Sequence, residues 1–367
     1  MDLLHDFHAS ANARFCQVNG QEAVASYGAP LTEHRALRET AGILDLSFRG
    51  RLCLAGADRH RFLHGQVTND VNALQAGEGC YAALITAKGK MISDLNIYRL
   101  ENELLLDFEP GLSDTVRERL DHYIIADDVQ VVDVAAQYGL LSAQGPKAPE
   151  LLSKLRLGLE LPAEPMSFVC HTDERMGEIY LLNQPRLGTA GFDLFVPNAA
   201  LLKMIEELSK LPCSAGARLC GWEAFEMARI EAGIPRFGVD MDESNLPPEA
   251  GIEERAISYR KGCYIGQEVI NRIRTYGQVA RALRGLQLAG DLSNLPKRGD
   301  KLFKADKEVG VVTSALASPT LNANIALGYV RREANAPGTE LTVRTDTGES
   351  SAIIVPLPFQ IGLATPL

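Results

Sequence analysis

The sequence predicts an α+β protein of two or three packed units that ends in a small β-barrel. Three observations carry this. The chain has 367 residues, more than one hydrophobic core usually organises. Strands and helices follow one another in two similar rounds between Arg51 and Leu211. From Leu283 to Pro358 the pattern changes to short β-rich segments separated by Gly, Pro, Asn and Asp, the spacing of a closed or nearly closed barrel.

Leu31–Glu39 reads as a helix and Arg51–Ala55 as a strand, after which Asp58 is placed to cap a helix over Arg59–His64. Cys80–Thr86, Met91–Arg99 and Glu103–Phe108 read as strands joined by turns at Ala87-Lys88-Gly89-Lys90 and Glu101-Asn102. Pro110 opens a helix to about Ile124, and Val129–Val134 closes the first round as a strand. The second round is strand Gly139–Ala143, helix Pro146–Leu155, strands near Glu178–Leu182 and Phe192–Val196, and helix Asn198–Leu211. The barrel strands are expected at Ala282–Leu288, Val309–Ala315, Ala323–Val330, Glu340–Arg344 and Ser351–Val355, with the domain boundary near Arg281. Residues 1–280 thus form one region of two α+β subdomains, and 281–367 the barrel domain.

A hydrophobic content of 46%, with 23% charged residues, is that of a globular protein. A net charge of −10 argues against general nucleic-acid binding through phosphate neutralisation. No apolar run reaches the length of a membrane span. Met1–Asn12 carries Asp2 and Asp6 and lacks an apolar core or basic start, so no targeting peptide is read there and a cytoplasmic location is expected. Cysteines 16, 53, 80, 170, 213, 220 and 263 are scattered, without a CxxC, and make neither a disulfide framework nor a self-contained metal or cluster site. His60 and His64 have i,i+4 spacing but no acidic third ligand, and no metal is expected.

Two local patterns point to chemistry. Cys220–Gly233 reads as a helix ended by Gly233 and Pro235. At 100° per residue Glu231 continues the apolar face of Cys220, Ala224, Met227 and Ala228, while Glu223, Glu226 and Arg229 lie on the other side. A carboxylate on such a face needs a partner: a structural ion pair, or a ligand with paired N–H donors such as a pterin. A long loop, Ile234–Gly251, leads on to Lys261-Gly262-Cys263-Tyr264-Ile265-Gly266-Gln267-Glu268. There a cation stands beside a thiol between glycines, either a tight turn or a reactive cysteine. The basic stretch Arg260, Lys261, Arg272, Arg274, Arg281 and Arg284 fits a solvated edge, the glutamate tail of a folate, or an acidic partner surface.

Arg229–Pro235, Leu246–Gly251 and the octapeptide 261–268 closely resemble the YgfZ-type folate-binding proteins, relatives of the glycine-cleavage T-protein (aminomethyltransferase). Phe62–Val71 and Ala87–Met91 match as well, and the resemblance spans nearly the whole chain. It implies a T-protein-like three-domain ring, with two α+β domains and a C-terminal small β-barrel. It implies tetrahydrofolate, or a one-carbon derivative of it, as cofactor. By the same resemblance Lys261 and Cys263 are the activity residues, and Glu231, Gln66, Asp94, Phe225 and Arg260 are the folate-side residues. Trp222, the single tryptophan, is expected on the face opposite Glu231, leaving Phe225 as the pocket-side aromatic.

The function the resemblance implies is an accessory role in iron–sulfur cluster assembly or repair, including the clusters of tRNA-modifying enzymes. Iron–sulfur client enzymes or assembly factors would be the partners. The alternative is a tetrahydrofolate-dependent aminomethyltransferase or other one-carbon transferase. T-proteins carry paired aspartates where this chain reads Ile92-Ser93-Asp94; with that single acid no aminomethyltransferase activity is expected, which sets the transferase second. A binding module without chemistry, docking through the barrel, is the third reading.

Overall fold

The computed structural model describes residues 3–155, 158, 160–211, 217–290, 292 and 294–360. The expected N-terminal features at Met1 and Asp2, and Cys213, lie outside the described residues. The chain divides into two compact units, Met1–Leu84 with Ser93–Ala228, and Ile85–Ile92 with Arg229–Leu367.

The first unit begins with α1 (Leu3–Ser10), the two-stranded ribbon β1 (Arg14–Val18) and β2 (Gln21–Ser26), α2 (Pro30–Glu39) and β3 (Ala41–Asp45). The first round then gives β4 (Gly50–Ala55), α3 (Arg59–Gln66), β5 (Gly79–Ile85), β6 (Met91–Arg99), β7 (Leu104–Phe108), α4 (Ser113–Asp121) and β8 (Gln130–Asp133). The second gives β9 (Tyr138–Gln144), α5 (Ala148–Ser153), β10 (Phe168–Asp173), β11 (Gly177–Asn183), β12 (Gly191–Pro197), α6 (Asn198–Lys210) and β13 (Ala217–Leu219). Each round builds one sheet, in the orders β5-β6-β7-β4-β8 and β10-β11-β12-β9-β3-β13. The strand β3 precedes the first round yet pairs antiparallel with β9, and β13 runs parallel to it. Its run Ala41-Gly42-Ile43-Leu44 is buried on both faces, so it shows no alternation by which a strand is read.

Amphipathic spacing explains the best-read elements. In α6 the buried residues Leu201, Met204, Ile205 and Leu208 recur at helical intervals and close one core with Leu141, Leu194 and Val196. The expected cap at Asp58 is corrected: no side-chain cap bond forms. Asp58 Oδ2 instead accepts the Asp128 amide at 3.0 Å, tying the start of α3 to the loop before β8.

α7 (Trp222–Glu231) contributes its last three residues to the second unit, which continues with α8 (Glu253–Ala256) and α9 (Gln267–Tyr276). Six strands, β14 (Arg281–Leu288), β15 (Lys301–Lys304), β16 (Lys307–Ser318), β17 (Ala323–Arg331), β18 (Glu340–Thr345) and β19 (Gly348–Val355), close a barrel in the order β14-β17-β16-β15-β18-β19. Its interior holds Leu286, Leu302, Val312, Val330, Val343 and Ile354. Five of these strands are legible in the sequence. β15 is short, is bounded by lysines, and buries only Leu302 fully. The architecture is therefore two α+β domains followed by a six-stranded barrel. Among the described residues, no helix is long and apolar enough to cross a membrane.

The glycine-rich octapeptide has a structural reason. Gly266 takes φ +84° as the residue before α9, and a Cβ there would lie 2.5 Å from the Thr86 carbonyl oxygen. Glu268 then falls in the first turn of α9, where the helix N-terminus favours an acid. Gly266→Ala should lower stability by about 1–3 kcal/mol, read as a lower urea midpoint, whereas an unchanged midpoint would show that the turn adapts.

Candidate active site

In the first unit the acid at position 94 is the group most clearly set apart. Asp94 stands on β6, where Leu95 and Ile97 are buried core residues. Part of the residue reaches the surface, but its Oδ1 is sealed from solvent and has no hydrogen-bond partner. Its Oδ2 accepts the Tyr81 hydroxyl, from β5, at 2.9 Å. Burial raises the Asp94 carboxyl, and the Glu109 charge adds to this. The Tyr81 hydrogen bond and Arg49 pull the other way, leaving it at about 6.

Why Arg49 does not do more is visible in its contacts. Arg49 Nε donates to Asp107 Oδ1 at 2.7 Å and its Nη1 to Glu109 Oε1 at 2.5 Å. Asp107 Oδ2 also accepts Arg186 Nη2 at 2.8 Å and Asn96 Nδ2 at 2.9 Å. The same Arg186 Nη2 meets Asp193 Oδ2 at 2.6 Å, and Ser142 Oγ donates to Asp193 Oδ1 at 2.7 Å. Burial pushes Asp107 up, but Arg186 and Arg49 outweigh it and hold the carboxyl well below its usual range. The network joins β7 of one sheet to β9 and β12 of the other. Among the described residues Asp94 has no ion pair.

Sequence reading named Asp94 but missed Tyr81, Arg49 and Glu109. A signal was present: Asp107 follows Leu104-Leu105-Leu106, and Asp193 sits between Phe192 and Leu194, so both acids interrupt apolar runs.

The other first-unit candidates are engaged. Gln66 Oε1 accepts Arg119 Nη1 at 2.9 Å, and that guanidinium lies 4.1 Å from the Tyr123 ring centre. Phe225 stacks on Trp222 with ring centres 4.9 Å apart, and both are core residues. The two aromatics therefore share a face, as the i,i+3 spacing on a helix requires.

In the second unit Glu231 is 3% exposed. It accepts the Ser318 hydroxyl at 2.5 Å, the Thr320 hydroxyl at 3.1 Å and the Thr320 amide at 3.3 Å, fastening the turn between β16 and β17. Arg229, expected on the outer face of α7, is corrected: it is 2% exposed, ion-paired with Asp240, and donates from Nη2 to Ser314 Oγ at 3.0 Å. The loop 234–241 and β16 enclose the last helical turn, so that turn is buried on all sides. Lys261 is buried with Nζ 4.7 Å from the Tyr264 ring centre, Cys263 is exposed, and Arg260 is exposed. Of the basic stretch, Arg281 meets Glu249 at 3.5 Å and Arg284 Nε donates to the Asn335 carbonyl at 3.0 Å. Among the described residues no group of His, Cys, Asp and Glu suits a metal.

The Asp94 environment has a consequence for stability. A carboxyl that sits at 3.8 when unperturbed and at about 6 when folded binds more protons in the folded state between those values. Stability therefore falls as pH rises through that window. Asp94→Asn should match wild type near pH 3.5 and exceed it by roughly 1–3 kcal/mol at pH 8 in urea unfolding. An equal difference at both pH values would rule out the titration.

The GCVT N-terminal domain family matches residues 4–261, and the glycine cleavage T-protein C-terminal barrel domain family matches 281–360. An aminomethyltransferase of Symbiobacterium thermophilum is 31% identical, with 97% of this chain and 96% of that protein covered. One from Geobacillus thermodenitrificans is 30% identical, with 97% of each covered. The crystal structure of glycine cleavage system aminomethyltransferase T from Bartonella henselae superposes with a TM-score of 0.87 over 99% of this chain and 98% of that one, at 23% identity. Full-length relatives named for aminomethyl transfer overturn the expected iron–sulfur accessory role, its tRNA-modification setting and the ranking of the transferase as second. They bring no support for iron–sulfur client partners. The chain belongs to the glycine cleavage T-protein family.

Proposed function

We propose that this protein is a tetrahydrofolate-dependent aminomethyltransferase. The family's cofactor is tetrahydrofolate, as the sequence resemblance implied. The observation that carries the reading is Asp94, a carboxyl with one oxygen fixed by Tyr81 and the other sealed from water without a partner. A reduced pteridine offers N–H donors and a basic amine, and a buried acceptor without a donor suits such a group. Tetrahydrofolate, when bound, supplies the amine that takes up the one-carbon unit.

The chain's own residues supply the proton handling. Asp94 stands at about 6, so near neutral pH both its forms are accessible. The neutral form gives a proton from Oδ1 and the ionised form accepts one there. Tyr81 is a positioning residue that selects which oxygen is free. Arg49 and Glu109 set the balance by offering one attractive and one repulsive charge. The lack of a second aspartate beside Asp94 is offset in this account by Glu109, which supplies the neighbouring negative charge.

In the second unit Glu231 fixes the Ser318–Thr320 turn, and Arg260 is exposed. Gln66 acts through Arg119, and Phe225 through the core it builds with Trp222. Residues 1–280 form the folate-binding region and 281–367 the barrel domain. The finer likeness to YgfZ-type proteins rests on the octapeptide 261–268, whose Gly266 is accounted for by the turn into α9. Cys263 has no part in the transfer. A cytosolic location fits the six described cysteines, all free.

The test is release of the aminomethyl group from the lipoyl carrier protein in the presence of tetrahydrofolate. Wild type should turn over. Asp94→Asn should lose about 10²-fold or more in kcat, the usual worth of a general acid–base group. Cys263→Ala should retain the wild-type rate. An inactive wild type, or full activity in Asp94→Asn, would contradict the proposal.

A further inference from the structure

A cleft lies between the two sheets of the first unit, away from Asp94. Two adjoining cavities, of about 350 and 380 Å³, share Leu100, Glu103, Glu178 and Tyr180. Tyr138, Tyr180, Phe168 and Phe195 form the aromatic part of its wall. Tyr180 packs against Tyr138 and against Phe168, each with ring centres 6.1 Å apart, and Phe195 stands behind them. The cleft has a closed end and a mouth. Arg51 and Phe195, each 1% exposed, form the closed end. Glu103, half-buried, and Glu178, exposed, stand at the mouth.

Both ends carry unmet chemistry. Arg51 donates from Nη1 to the Arg49 carbonyl at 3.0 Å and from Nη2 to the Ser47 carbonyl at 2.8 Å, but its Nε–H has no acceptor. A buried donor without a partner costs about 1–3 kcal/mol, so an oxygen reaching it would be favoured. At the mouth, Glu178 accepts the Tyr180 hydroxyl, and Glu103 stands beside the Cys53 thiol. Among the described residues neither carboxylate has a cationic partner. Their charges are felt at the aromatic wall: burial raises the Tyr138 hydroxyl first, then Glu178, with Glu103 contributing further.

We propose that this cleft binds a small organic amine with an aromatic body and an oxygen at its far end. The ammonium meets Glu103 and Glu178 and the faces of Tyr138 and Tyr180, where aromatic rings and carboxylates together favour a cation. The ring lies against Phe195, and the oxygen accepts the Arg51 Nε–H. A cavity of this size suits a ligand of that class. The site uses none of the residues assigned to aminomethyl transfer, so it stands or falls separately from that reading.

Tyramine is the probe. Calorimetric titration of the full chain should give saturable one-to-one binding. Phenethylamine, which lacks the hydroxyl, should bind several-fold more weakly. The double variant Glu103→Gln/Glu178→Gln should weaken tyramine by about tenfold or more. Val132→Trp, at a wall residue that is 40% exposed and tolerant of replacement, should block the cleft and abolish binding. No saturable binding of tyramine would overturn the proposal. So would binding unchanged in both variants, or equal binding of 3-(4-hydroxyphenyl)propanoate, which carries the opposite charge.

Discussion

The first unit depends on how two buried guanidiniums are shared. Arg49 and Arg186 stand among four carboxyl groups, Asp94, Asp107, Glu109 and Asp193. Asp107 lies between the two cations and is held ionised. Glu109 takes the remaining arm of Arg49, and Asp193 the remaining arm of Arg186. Nothing is left for Asp94 except a tyrosine hydroxyl. Removing either arginine would leave buried carboxylates uncompensated, which is costly in a low-dielectric interior. The network that fastens one sheet to the other also sets the Glu109 charge where it adds to the burial that raises Asp94.

The second unit uses the same residue types for a different end. Glu231 and Asp240 are buried, as are Asp107 and Asp193 of the first unit. Their oxygens are met by Ser318 and Thr320, and by Arg229, Thr313 and Ser314. These contacts pin the end of α7 and the loop after it to the barrel. Burial of an acid does not by itself mark chemistry. What marks it is an oxygen left over once the neighbours have been counted, and Asp94 meets that condition.

Much of the architecture was legible because it rests on periodicity. The two rounds, the helix Asn198–Lys210 and five of six barrel strands follow from apolar spacing alone. β3 was hidden by being buried on both faces, and β15 by having a single buried side chain. Asp94 was legible only through family likeness, since an acid flanked by Ser93 and Leu95 shows no local peculiarity. Its partners Tyr81, Arg49 and Glu109 come from three other strand regions, and one-dimensional spacing does not join them. The density of unusual residues in the cysteine octapeptide suggests thiol chemistry, and the structure adds that Gly266 serves a left-handed turn and Lys261 covers a tyrosine ring.

Burial holds the Asp94 carboxyl at a raised value, and the Glu109 charge adds to it. A carbon-13 NMR titration of the aspartate side-chain carboxyls tests it most directly, comparing wild type with Glu109→Gln. The Asp94 resonance should titrate near 6 in wild type and move to lower pH when Glu109 loses its charge. Titration near the ordinary value of 3.8, in either protein, would contradict it.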